Sequence, residues 1–165
     1  MATITLKGNP CTTSGSLPVA GTSAPPLTLT RPDLSEVTLA SFGSLKKLLN
    51  VFPSIDTSVC AMSVRTFNQK VAARADTVVL NISADLPFAA SRFCGAEGLT
   101  GVETLSTFRS SFPKDYGVLI VDGPLAGLCS RAVIVLDGAN RVLYTEQVTE
   151  IVQEPDYAHA LAALG

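Results

Sequence analysis

Cysteine is the residue type that defines the chemistry open to this 165-residue chain, which contains four cysteines and one histidine. The cysteines lie at positions 11, 60, 94 and 129, and no two are spaced as a C-x-x-C zinc knuckle or thioredoxin-type dithiol. The single histidine excludes an H-E-x-x-H metal site. Any Ser-His-Asp or Cys-His mechanism would have to use His159, which we expect to be a surface or packing residue.

Cys60 is the most informative of the four cysteines because of where it lies in the predicted fold. It falls in the first turn of a predicted helix, directly after a predicted central strand over residues 46–52. Ligands of open α/β sheets bind beyond the carboxyl ends of the strands. Unpaired N–H groups and the positive end of the helix dipole stabilise a thiolate at such a position. The alternative is a buried structural cysteine, and position alone weights the two interpretations equally.

The elements that must position Cys60 follow an α/β pattern in which short apolar segments alternate with helical ones. After Thr57, residues with helical spacing predict a helix with one shared face, formed by Val59, Met62, Val64, Phe67 and Val71. The further predicted strands are residues 77–83, 102–105, 131–137 and 141–147, and the further predicted helices are residues 86–97, 111–116 and 155–164.

The N-terminal part of the chain predicts a β-hairpin followed by a loop. Residues 3–7 alternate as in a strand, Gly8-Asn9-Pro10 supplies a turn, and residues 11–14 form the return strand. Residues 17–32 are rich in Pro, Gly, Ser and Thr and predict an extended loop. The complete order predicts one thioredoxin-like domain over residues 1–165, with an added N-terminal β-hairpin and a central mixed sheet flanked by helices.

Composition narrows the function classes. Hydrophobic residues make up 47% of the chain and charged residues 16%, which argues against disorder. With 12 Lys and Arg against 14 Asp and Glu, the formal charge is −2, so no basic field favours nucleic acid or a membrane surface as a partner. The N-terminus lacks the apolar core of a signal peptide, and no stretch approaches a membrane span, so we expect a cytoplasmic protein.

The neighbours of Cys60 make the reactive interpretation much stronger. Pro53, Thr57 and Cys60 are spaced as P-x-x-x-T-x-x-C, which resembles the active-site motif of the peroxiredoxins. Four further segments are similar to the thiol peroxidase branch of that family: NVFPSIDT (50–57), ISADLPFA (82–89), SRFCGAEG (91–98) and EPDY (154–157). The resemblance extends from about Gly8 to Leu164, nearly the whole chain.

This resemblance implies roles for four residues around the sulfur. Cys60 would be the peroxidatic cysteine, which attacks a hydroperoxide and becomes a sulfenic acid. The Thr57 hydroxyl would bond to the peroxide and the thiolate, although a plain N-cap is its ordinary role. Pro53 would shield the thiolate, or simply end the strand. Arg131 would stabilise the thiolate and the charge on the leaving oxygen; without the resemblance it would be taken for a solvated strand-end residue.

The resemblance also implies that Cys94 is the resolving cysteine, which condenses with the sulfenic acid in the same chain. Two cysteines on separate helices start too far apart for a disulfide, so we expect local unwinding on oxidation. Cys11 and Cys129 match no motif position, and we expect them to be structural.

The implied function is a thiol-dependent peroxidase for hydrogen peroxide and organic hydroperoxides, reduced by thioredoxin or a similar dithiol, with no cofactor. A homodimer is implied as well. Two alternatives remain open: a redox sensor or relay that uses the same Cys60–Cys94 switch without turnover, and a thioredoxin-fold binding protein in which Cys60 is unreactive toward peroxide.

Overall fold

The computed structural model describes residues 1–99 and 101–165, which form a large mixed sheet with helices on both sides and a separate two-stranded hairpin. The strands are β1 (Thr3–Leu6), β2 (Asn9–Thr12), β3 (Thr28–Thr30), β4 (Glu36–Thr38), β5 (Lys46–Val51), β6 (Thr77–Ser83), β7 (Glu103–Ser106), β8 (Ala132–Leu136) and β9 (Val142–Gln147). The α-helices are α1 (Ser58–Val71), α2 (Pro87–Glu97), α3 (Phe112–Asp115) and α4 (Tyr157–Leu164), and a 3₁₀ helix covers Leu39–Phe42.

The large sheet has the strand order β4-β3-β7-β6-β5-β8-β9. Strand β5 lies in the interior of the sheet: it pairs in parallel with β6 and antiparallel with β8, and β6 pairs in parallel with β7. β1 and β2 form the separate hairpin. The structure therefore confirms the predicted mixed sheet, the flanking helices and the N-terminal hairpin.

Alternation along β5 divides the core into two layers. Leu49 and Val51 pack with the cluster that contains Phe112 and Tyr116, whereas Leu48 packs with Phe67 of α1 and with α4. Successive side chains of a strand point to opposite faces of the sheet, and every residue of β5 after Lys46 is buried, so this strand supports helices on both sides. None of the helices in the described part of the chain has the length and apolar character needed to cross a membrane.

The N-terminal region differs from the prediction in two places. The hairpin turn is at Lys7 and Gly8, both with positive φ (50° and 81°), rather than at residues 8–10, so the return strand is already under way at Asn9. Residues 17–32 are not all loop, because β3 pairs with β4 and with β7 at the edge of the large sheet. Three-residue strands carry too few side chains for a period-2 pattern to reveal them.

The predicted face of α1 is also partly wrong. Met62 is exposed and Val59 only half-buried, and the buried stripe is instead formed by Cys60, Val64, Phe67 and Val71. These residues recur at the spacing of an amphipathic helix, with the cysteine as the first apolar member. Cys60 therefore points inward because it belongs to the packing face of the helix.

Candidate active site

Cys60 lies in the first turn of α1, three residues after the N-cap position of Thr57, and is fully buried. The first N–H groups of a helix have no partner within the helix, so this position favours an anionic sulfur. Side-chain hydrogen bonds of Ser63 and Asn50 also hold this first turn of α1. Ser63 Oγ donates to the Cys60 carbonyl at 2.8 Å and accepts from Asn50 Nδ2 of β5 at 3.1 Å.

Arg131 reaches the sulfur directly, although it lies 71 positions away in the chain. Its Nη2 donates to Cys60 Sγ at 3.3 Å, and its Nε donates to the Ile151 carbonyl at 2.8 Å. The side chain is only 2% exposed, and Nη1 has no hydrogen-bond partner among the described residues. A buried, unpartnered N–H of a cation is costly in a free protein, and it provides a donor for an oxygen that binds beside the sulfur.

The pairing of β8 with β5 explains why Arg131 comes to this position. The two strands are antiparallel, and Ala132 at the start of β8 pairs with Val51 at the end of β5. The residue that precedes β8 therefore lies at the carboxyl end of β5, where the chain leaves for α1. Arg131 is therefore not a solvated strand-end residue, although that is the ordinary expectation for an arginine before a strand.

The loop between β5 and α1 is held by Asp85, a residue whose part in the site the sequence did not indicate. Its carboxylate accepts from Ser54 Oγ, from the Ile55 N–H and from Ser83 Oγ, each at 2.7 Å. Asp85 follows β6, which is parallel to β5, so both strand ends meet at the same edge of the sheet. Asp85 thus ties the loop after β5 to the end of β6.

Thr57 and Pro53 lie in the wall of a cavity beside the site. Thr57 occupies the N-cap position, but its hydroxyl donates to the Ser54 carbonyl at 3.1 Å and makes no side-chain cap. The plain N-cap role is therefore not what its side chain does. Pro53 is buried directly after the end of β5.

A cavity of about 200 Å³ opens on this side of the site. Its wall contains Pro53, Thr57 and Arg131 from the predicted site. The rest is chiefly apolar and includes Leu6, Val59, Leu125, Leu128, Ile151 and Val152. One of these residues comes from the N-terminal hairpin, so the wall is assembled from segments at both ends of the chain.

Cys94 lies on α2 and shares an apolar cluster with Cys60. The cluster is formed by Phe52, Ile55, Cys60, Ala61, Val64 and Phe93, and Cys94 packs against it. All four cysteines are free thiols. Burial raises the pKa of the Cys94 thiol, an effect that the Thr104 hydroxyl partly opposes. In this conformation Cys94 is therefore a poor nucleophile at neutral pH.

The two remaining cysteines have the environment of structural residues. Cys11 of β2 is buried, and burial raises the pKa of its thiol above the ordinary value. Cys129 is fully buried, which raises its thiol pKa to about 12. Both thiols stay protonated at neutral pH because the protein interior disfavours the charged form.

Together, the fold and the site define a class of protein: a thioredoxin-like domain with a free cysteine at a helix start, facing a buried arginine. Comparison with known proteins supports this class. Residues 19–161 match the Redoxin family. Thiol peroxidase of Mycobacterium tuberculosis is 55% identical over 165 residues, which cover 100% of this chain and 99% of that protein.

Two solved structures are similar in fold over almost their full lengths. A peroxiredoxin-like protein from Aquifex aeolicus has a TM-score of 0.93 and 35% identity, covering 99% of this chain and 96% of that one. Thiol peroxidase from Chromobacterium violaceum has a TM-score of 0.91 and 27% identity, covering 98% and 94%. The chain belongs to the redoxin family, in the thiol peroxidase branch of the peroxiredoxins. The family expected from the motif around Cys60 is thus confirmed.

Proposed function

We propose that this chain reduces hydroperoxides by nucleophilic attack of the Cys60 thiolate. The sulfur attacks the distal oxygen of ROOH, an S–O bond forms as the O–O bond breaks, and the leaving alkoxide takes a proton to become ROH. Cys60 is then a sulfenic acid. The observation that carries this proposal is the geometry of Arg131, which donates to Cys60 Sγ through Nη2 while Nη1 stays without a partner.

Arg131 acts both before the attack and during it. Before the attack its positive charge and the helix N–H groups favour the thiolate over the thiol. During the attack negative charge moves from sulfur to the leaving oxygen, and the free Nη1–H is a donor for that oxygen. Because the guanidinium is already in place and buried, little reorganisation is needed as the charge moves.

The cavity supports organic hydroperoxides as substrates in addition to hydrogen peroxide. Its apolar side chains match the alkyl part of an organic hydroperoxide, whereas the polar end would lie toward Thr57 and Arg131. The Thr57 hydroxyl can accept a hydrogen bond from the peroxide O–H while it donates to the Ser54 carbonyl. Pro53, which has no N–H, adds an apolar side to the site.

Cys94 completes the cycle as the resolving cysteine. Its thiolate attacks the sulfenic sulfur of Cys60, the S–S bond forms, and the oxygen leaves as water. Loosening of α2 returns Cys94 to water and removes the burial that raises its pKa, so the movement that brings the sulfurs together also activates the attacking group. A dithiol protein of the thioredoxin type then reduces the disulfide by exchange.

A homodimer fits an exposed apolar patch beside the site. Leu86, Phe88 and Phe108 are large apolar residues that are exposed in the single chain. Their segments are joined by Ser106 Oγ, which donates to the Asp85 carbonyl and accepts from the Phe108 N–H. Contiguous exposed apolar residues mark interaction surfaces, and we assign this one to a second copy of the chain. Sedimentation should give twice the mass of the chain, and Phe88→Glu should halve it, whereas Leu143→Glu on β9 should not.

The experiment that tests the function is peroxide consumption coupled to thioredoxin, thioredoxin reductase and NADPH, with hydrogen peroxide and an alkyl hydroperoxide in parallel. Continuous turnover is expected with both. Consumption that stops after one equivalent would instead favour the redox sensor or relay. A chain whose Cys60 does not react with either peroxide would be a thioredoxin-fold binding protein.

A further inference from the structure

The N-terminal hairpin is joined to the segment that follows β9. The Thr5 N–H donates to the Thr149 carbonyl at 2.7 Å, and the Ile151 N–H donates to the Thr5 carbonyl at 2.9 Å. These two bonds make β1 and residues 149–151 a short parallel pair. The hairpin is therefore continuous with the segment that carries Ile151.

Glu150 is the centre of this junction. Its carboxylate accepts from Thr5 Oγ1 at 2.8 Å, from the N–H groups of Lys7 at 2.9 Å and Gly8 at 3.0 Å, and from the Val152 N–H at 3.3 Å. These donors lower the pKa of Glu150 to about 2, so the group is ionised at neutral pH. Consecutive turn N–H groups form a concave anion site, and here a carboxylate of the same chain fills it.

The turn needs this partner. Lys7 has a φ of 50°, in the left-handed region that residues with a side chain seldom occupy. Such a conformation persists only where surrounding contacts determine it. The bonds from the Lys7 and Gly8 N–H groups to one carboxylate are contacts of this kind.

The residue next to Glu150 orients Arg131. The Ile151 carbonyl accepts from Arg131 Nε at 2.8 Å, and the same guanidinium donates to Cys60 Sγ. No carboxylate forms an ion pair with Arg131 among the residues that the structure describes. The Ile151 carbonyl is therefore the protein acceptor that sets the direction of the guanidinium, in addition to the sulfur.

We propose that Glu150 is a positioning residue for the peroxidase reaction: it fixes the hairpin turn to residues 150–152 and so holds the Ile151 carbonyl where it aims Arg131 at Cys60. This proposal depends on the proposed function in one respect only, namely that Arg131 acts on the sulfur of Cys60. It gives the hairpin, which lies outside the large sheet, a task in catalysis. It also explains why a residue of the hairpin, Leu6, lies in the wall of the cavity.

The test is the alkylation of Cys60 by iodoacetamide as a function of pH, followed for its own peptide by mass spectrometry, in the wild type and in Glu150→Gln. Glutamine keeps the size of the side chain, but its NH₂ group replaces one of the two carboxylate oxygens and cannot accept from a turn N–H. We expect the midpoint of the Cys60 profile to move upward by up to about one pH unit, which lowers the reactive fraction at neutral pH by up to about tenfold. If Glu150→Gln does not fold, Thr5→Val, which removes one contact of the carboxylate, takes its place.

Asp122→Asn is the matched control. Asp122 accepts from the Thr12 N–H and Thr12 Oγ1, each at 2.6 Å, and so holds the other strand of the same hairpin. It makes no contact with residues 149–152 in the hydrogen bonds of the described residues. A similar profile in Asp122→Asn and the wild type is expected. An equal shift in both variants would mean that general loosening of the hairpin, and not the Glu150 junction, affects Cys60.

A double-mutant cycle decides whether the effect passes through Arg131. In an Arg131→Ala background, Glu150→Gln should cause no further shift, because the group that it positions is already absent. Additive shifts, or an unchanged profile in Glu150→Gln alone, would overturn the proposal. Because alkylation needs no peroxide, a wild type that lacked peroxidase turnover would defeat the proposed function and leave this test intact.

Discussion

Helices α1 and α2 carry the two cysteines of the proposed cycle, but they are attached to the protein in different ways. The 14 residues of α1 include six buried ones, and its first turn is braced by Ser63 and Asn50. The 11 residues of α2 include only two buried ones, Pro87 and Phe93. The apolar contacts that resist local unfolding are thus concentrated on α1.

Ion pairs at the surface provide much of the remaining attachment of α2. Arg65 of α1 makes a two-point contact with Glu97 at 2.9 and 2.7 Å, and Arg92 pairs with Asp56 in the loop before α1. The Arg65 guanidinium also lies 5.7 Å from the centre of the Phe93 ring. A helix held by one buried aromatic residue and exposed ion pairs is easier to release than one held by a core stripe. We therefore expect α2 to move first when the disulfide forms.

The largest effects should come from the two cysteines, and they should differ in kind. Cys60→Ser should remove peroxide consumption completely, because serine is not ionised at neutral pH and no other described cysteine faces Arg131. Cys94→Ser should consume one equivalent of peroxide and then stop. Both are measured in the coupled thioredoxin assay, with a sulfenic-acid probe to trap the product in Cys94→Ser. Sustained turnover in Cys60→Ser would end the proposed mechanism.

Arg131→Ala should come next, with a loss of about 10²-fold or more in kcat/KM for peroxide, the usual cost of removing a donor at a developing negative charge. The rate-versus-pH profile should also move to higher pH, because the cation that favours the Cys60 thiolate is gone. Stopped-flow oxidation across the pH range measures both. Arg109→Ala, at a surface arginine paired with Glu36, is the control; an equal loss there would remove Arg131 from the site.

One substitution in each helix sharpens the comparison of α1 with α2. Phe67 and Phe93 are both buried, and replacing a buried phenylalanine by alanine costs about 3–5 kcal/mol. Phe67→Ala, which breaks the edge contact with Tyr157 at 4.9 Å, should lower the free energy of unfolding of the whole protein. Phe93→Ala should speed amide exchange mainly in residues 87–99. If amide exchange rises uniformly along the chain in Phe93→Ala, the proposed difference between α1 and α2 is wrong.

The smallest effect should come from the ion pairs. Arg65→Ala should speed formation of the Cys60–Cys94 disulfide by up to about fivefold, since exposed pairs contribute little, and salt should act in the same direction on the wild type. Arg65 lowers the pKa of Glu97, so the pair contributes above the ordinary pKa of a glutamate and is lost as pH falls through the lowered value. Between pH 6 and 8 the pair is therefore fully formed and should add nothing to the pH dependence of disulfide formation. The rate of disulfide formation is measured by quenching samples and alkylating the remaining free thiols.

Local signals in the sequence predicted a large part of the fold. The run at 77–83 was predicted with the bounds that β6 has, because a β-branched apolar segment favours a buried strand whatever surrounds it. The end of α2 at Glu97 was also predicted, because Gly98 directly follows it, and Gly98 has the left-handed conformation that often ends a helix. The turn at Lys7 and Gly8 was missed, because the contacts that stabilise it come from Glu150.

The site divides in the same way. The sequence by itself determined that Cys60 begins a helix after a central strand, and that its neighbours have the spacing of a peroxiredoxin motif, because these are properties of consecutive residues. Tertiary structure decided that Arg131, whose role only the family resemblance implied, touches the sulfur, that Asp85 holds the loop and that Glu150 anchors the hairpin. Each depends on strands that pair across the sheet or on segments from opposite ends of the chain. Such contacts arise only when burial of the apolar layers brings distant residues together, and no local pattern encodes them.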